Sequence, residues 1–70
     1  MRTTLVMTTK NGIHLLFNAE LGGFLSSDPE AVMAALKEDM ASNDKIAAKM
    51  AREILIASSY YGGIRNLSEI

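Results

Sequence analysis

Asp44 to Tyr61, DKIAAKMAREILIASSYY, is the stretch on which the fold turns. It contains neither Gly nor Pro, and Ile46, Ala47, Met50, Ala51, Ile54 and Ala57 recur at spacings of three and four. At about 3.6 residues per turn those positions line one face of a helix. On the wheel, Ile46, Met50, Ile54, Ala57 and Tyr61 form a continuous stripe flanked by Ala47, Ala51 and Leu55. Lys45, Lys49 and Arg52 lie opposite. The stripe predicts an amphipathic helix whose first half packs on the N-terminal hairpin described below.

The second half reads differently. Ile56 falls among the cations, where a solvated face should be polar, and Tyr60 lies beside it. Leu55, Ile56, Tyr60 and Tyr61 therefore wrap most of the helix. A helix that is apolar on several sides is buried on several sides. These four residues are the predicted site of contact with another chain, a second copy or a different protein. Lys45, Lys49 and Arg52, interleaved with Ile56 and Tyr60, are candidate contacts for an anionic ligand or an acidic partner, since Arg and Tyr are favoured interface anchors.

Upstream, Ser27-Asp28-Pro29-Glu30 marks a helix start. Ser27 with Glu30 forms a capping-box pattern, Asp28 is a competing cap, and Pro is tolerated in the first turn. Val32, Met33, Leu36 and Met40 then share one side, so a helix runs to Met40 or Ala41. Ser42-Asn43-Asp44 interrupts it with three residues that favour caps and turns. The two helices, over about residues 28–41 and 44–61, form an αα-hairpin.

The first third reads as a β-hairpin over about residues 3–19. Thr3 to Thr9 is rich in β-branched residues, Ile13 to Phe17 is mostly large and apolar, and Asn11-Gly12 lies between. A two-residue type I′ turn at Asn-Gly would put Thr8 opposite Leu15 and Val6 opposite Phe17 on the core face. Leu5, Met7 and Leu16 would share the other face, as a second contact surface. A one-residue shift, as in a bulged loop, exchanges these faces. A lone hairpin is barely stable in water, so its strands must be covered, extended or paired with another copy. Glu20 to Ser26 reads as a loop broken by Gly22-Gly23, with Phe24 and Leu25 plugging the core. After Gly62-Gly63, which ends the second helix, residues 64–70 are either a frayed tail or a short helical turn or strand.

The fold class that follows is α+β, a single small domain over residues 1–70 with both helices on one face of the sheet. A chain of this size buries only about 60% of the surface its unfolded form exposes and leans on external support. It has no Cys and a single His, so disulfides and thiolate or multi-histidine metal sites are excluded, leaving a homo-oligomer, with a dimer favoured.

Several functions are poorly supported. Seven Lys/Arg against eight Asp/Glu give a net charge of −1, which argues against sequence-independent nucleic-acid binding. No run approaches the ~18 apolar residues of a membrane span. MRTTLVMTTK lacks the apolar core of a signal peptide, and together with the absence of Cys it points to the cytoplasm. No catalytic set emerges: His14 has Thr9 as its expected cross-strand neighbour and no orienting carboxylate, and Ser58 and Ser59 lie far from it in sequence. Gly22-Gly23 matches no phosphate-binding fingerprint. The expectation is a non-enzymatic protein-binding module without cofactor or metal: a regulator, inhibitor or assembly adaptor acting as a homo-oligomer. The rival readings are a ligand-binding oligomer with Lys49, Arg52 and Tyr60 at a subunit-interface pocket, and nucleic-acid binding through the basic face of the second helix.

Overall fold

The computed structural model of the chain describes residues 2–69. Among them, strands β1 (Thr3–Thr8), β2 (His14–Asn18) and β3 (Gly23–Ser26) precede helices α1 (Pro29–Met40) and α2 (Lys45–Tyr60). Strand β4 (Ile64–Asn66) and a 3₁₀ turn (Leu67–Glu69) follow. The sheet has the order β1-β2-β3-β4, antiparallel except for the parallel β3–β4 pair. The architecture is α+β, as the sequence predicts, but the sheet has twice the expected number of strands.

The hairpin forms with a different turn. Asn11 does not adopt positive φ; Gly12 alone does, at 83°. Gly12 N–H donates to Thr9 O at 3.0 Å, and Thr9 N–H donates to Ile13 O at 2.8 Å. The loop is therefore Lys10-Asn11-Gly12, a three-residue connection that needs one left-handed residue instead of two. Lengthening the loop by one residue moves the register by one, so Met7 faces Leu15 and Thr8 faces His14. A bulge between Leu5 and Met7 adds a second shift in the same direction, after which Leu5 faces Leu16 and Thr4 faces Phe17. Two shifts of one restore the original parity. Leu5 and Leu16 stay on the outer face as predicted, but Met7 is carried to the helix side, where it packs against the core.

Gly23–Ser26, read from sequence as loop, is a central strand buried along its whole length. Asn18 prepares the reversal into it: its Oδ1 accepts the Leu21 N–H at 2.9 Å, and Gly22 N–H donates to Asn18 O at 2.8 Å. Phe24 then shares the helix-facing side with Phe17, their rings 5.1 Å apart. Leu25 lies on the opposite side, opposite Leu16, and is fully buried. The helix-side core is Leu15, Phe24, Val32, Leu36 and Ala51.

Helix starts are set by aspartates. Asp28, not Ser27, caps α1 by accepting the Ala31 N–H at 3.1 Å, so the Ser27–Glu30 capping box does not form. Asp44 caps α2 by accepting the N–H groups of Ile46 and Ala47 at 3.0 and 3.1 Å. Two donors on one carboxylate also place a negative charge at the positive end of the helix dipole. Replacing Asp44 by Ala is expected to lower stability by about 1–2 kcal/mol in urea unfolding, with the spectrum of the folded state unchanged. At the other end Gly63 N–H donates to Ser58 O at 2.8 Å and Gly62 N–H to Ser59 O at 3.3 Å, a Schellman closure with Gly62 at φ 81°. That turn delivers Ile64 alongside Phe24 and starts β4.

Candidate functional site: an unpartnered face of α2

The side of α2 that packs inward is not the side that is most apolar. Ala51 and Ser58 are buried, with Ala47 and Leu55 half-buried beside them. This line lies roughly a quarter-turn from the centre of the predicted stripe at about 100° per residue. Small residues allow α2 to approach α1 closely. The consequence is that Ile46 is 73% exposed and Met50 56%. The expectation that the first half of the stripe packs on the hairpin is therefore overturned: close packing is made by alanines, and the large side chains are left outside.

Between the displaced stripe and the sheet runs an open groove of about 480 Å³. Val6, Phe17 and Phe24 form its sheet wall, and Met50, Ile54 and Ala57 its helix wall. Tyr61 closes one end, its ring 5.5 Å from Phe17 and 5.9 Å from Phe24 in edge-to-face contacts. Glu53 is the one charged residue lining it. A second, smaller cleft of about 310 Å³ lies between the hairpin tip and α1 and is lined by Lys10 and Glu38, which are 3.4 Å apart.

The seven predicted contact residues separate into four places. Ile56 and Tyr60, 52% and 82% exposed, stand on the outer side of α2 as expected. Leu55 instead packs against the core, so it is no surface anchor, and Tyr61 belongs to the groove. Leu5 and Leu16 lie on the outer sheet face, while Met7 has crossed to the helix side. Lys45, Lys49 and Arg52 are all exposed on the same outer side as Ile56 and Tyr60. Among the described residues no carboxylate lies within ion-pair distance of these three cations. Lys49 and Glu53, one turn apart, are thus not paired with each other.

His14 is exposed, and its Nδ1 lies 2.8 Å from Thr8 Oγ1, the cross-strand neighbour set by the shifted register in place of Thr9. Among the described residues no three His, Asp or Glu side chains are grouped to hold a metal ion, and no helix is long and apolar enough to cross a membrane. Sequence reasoning missed Val6, Phe17 and Phe24 as surface-forming residues because it assigned all three to a closed core. The available signal was the alanine line on α2, since a helix that packs through Ala47 and Ala51 leaves Ile46 and Met50 about a quarter-turn away from the contact.

The site and fold define a small α+β domain with an exposed apolar groove beside α2. Compared with protein-family models, with curated proteins and with solved structures, the chain matches none.

Proposed function

We propose that the chain is a non-enzymatic protein-binding module of the cytoplasm, a regulator, inhibitor or assembly adaptor, that works as a homo-oligomer. The observation that carries this reading is the set of large apolar side chains standing free on α2, with Ile46, Met50, Ile56 and Tyr60 all more than half exposed. Contiguous exposed apolar surface on a small domain marks a contact with another macromolecule. The outer side adds three cations that have no ion-pair partner among the described residues, around Ile56 and Tyr60, a combination suited to an acidic protein surface. The Cys-free composition supports the cytoplasmic placement.

Ile56→Asp and Tyr60→Ala are expected to abolish capture of the protein partner from native extract. Tyr60 is 82% exposed and Ile56 52%, so the circular dichroism spectrum should be unchanged and the unfolding free energy should fall by no more than about 1 kcal/mol. Unchanged capture by both variants would sink the reading. A second reading, a small-ligand binder, is favoured by the groove volume, which falls in the usual range for ligand sites. A thermal-shift screen against nucleotides and metabolites separates the two, because a ligand that binds only the folded form raises the melting temperature. Binding of nucleic acid through Lys45, Lys49 and Arg52 predicts steep salt dependence, and absence of binding at low salt removes it.

A further inference from the structure

We propose that the line Ile46, Met50, Glu53 and Ala57, at the helix edge of the groove, is a twofold interface covered by a second copy of this chain through antiparallel pairing of α2 with α2. The proposal rests on the homo-oligomer reading above and names its surface.

The amount of surface argues for a permanent cover. A folded monomer of 7.6 kDa exposes about 4,300 Å² on average, whereas this chain exposes 4842 Å². Edge pairing of the sheet is the weaker way to cover it. β1 is an edge strand, but its bulge at Val6 interrupts the row of backbone groups another strand would need.

Self-complementarity argues for a second copy over a different protein. A twofold interface requires that where one residue meets another, the second also meets the first. Ile46, Met50, Glu53 and Ala57 follow one another at spacings of four, three and four, the seam of a pair of packed helices. A twofold axis between Met50 and Glu53 sets Ile46 of each copy against the second copy's Ala57, a large side chain over a small one. The same axis lays Met50 along the aliphatic stem of the second copy's Glu53. It also brings Lys49 beside that carboxylate, and each contact occurs twice. Neither Lys49 nor Glu53 has an ion-pair partner within its own chain among the described residues. The cation and the anion on one seam therefore repel no copy of themselves in this register, and the Ile56–Tyr60 side remains open for the protein partner.

Sedimentation velocity across the micromolar range tests the arrangement. The parent chain is expected at dimer mass and Ile46→Asp at monomer mass, with association weakened roughly a hundredfold or more because the change acts twice across the axis. Ile46 is largely in solvent, and circular dichroism checks that the variant is folded. Lys49→Glu and Glu53→Lys should each weaken the dimer alone and form a heterodimer when mixed, since the mixture restores opposite charges at both contacts. A parent chain that stays monomeric, an Ile46→Asp variant that keeps the dimer mass, or charge variants that fail to associate on mixing overturns the proposal. The two readings fail separately: Ile56→Asp should lose partner capture while keeping the dimer mass.

Discussion

Replacing Leu36 by Ala is expected to cost about 2–5 kcal/mol in equilibrium unfolding, most of what a domain of this size has to lose. Leu36 is 1% exposed and belongs to the cluster in which α1 meets Leu15 and Phe24 of the sheet and Ala51 of α2. Truncation there removes apolar contact and leaves a cavity that three elements must collapse around. At about 0.05–0.15 kcal/mol per residue the whole chain holds roughly 3.5–10 kcal/mol. The variant should therefore show a urea midpoint near the start of the parent's transition or no folded baseline at all. A midpoint within a few tenths of a molar of the parent would show that the three elements are not joined through this side chain.

Leu25→Ala is expected to be comparably damaging, by about 2–5 kcal/mol, although Leu25 does not touch the helix-side cluster. Its side chain lies on the opposite face of β3 and is nonetheless 0% exposed. Leu5, on the same outer face but 56% exposed at the edge strand, is the control: Leu5→Ala should change stability by no more than about 0.5 kcal/mol. The pair of measurements asks whether the outer face carries its own buried centre. Equal, small losses at both positions would reduce that face to an ordinary solvated surface.

The helices were legible in sequence because their signals are local and strong. Asp28 and Asp44 sit where caps are needed, and Gly62 supplies the left-handed residue at the end of α2. Parity on β2 rested on the turn alone, because Leu15, Leu16 and Phe17 are all large and apolar and show no alternation. The register of β1 was not legible, because Asn-Gly serves both a two-residue and a three-residue loop, and a bulge leaves no mark in composition. β3 was hidden for a related reason. A strand buried on both faces shows no alternation, and four residues containing Gly and Ser offer no run long enough to declare it. The groove was missed because the wheel locates the apolar centre of α2 but not the direction in which its neighbours lie. Alanines at 47 and 51 settle that direction by permitting contact with α1 at short range, and the larger residues are displaced as a result.

The parallel pairing of β3 with β4 ties residues 24–26 to 64–66, with both helices in between. Non-local pairings of this kind close late, after the cost of ordering the intervening loop has been met. Until Ile64–Asn66 has been synthesised and has paired, Gly23–Ser26 is a bare, uncharged strand margin with Phe24 and Leu25 at its centre. Such a margin pairs readily with any neighbouring extended chain. β4 is only three residues long, and its main task is to act as a cap on that margin. Chains cut before Ile64 should therefore be recovered as aggregates more than as unfolded monomers, and the interval between synthesis of β3 and arrival of β4 is when nascent copies are most at risk from one another.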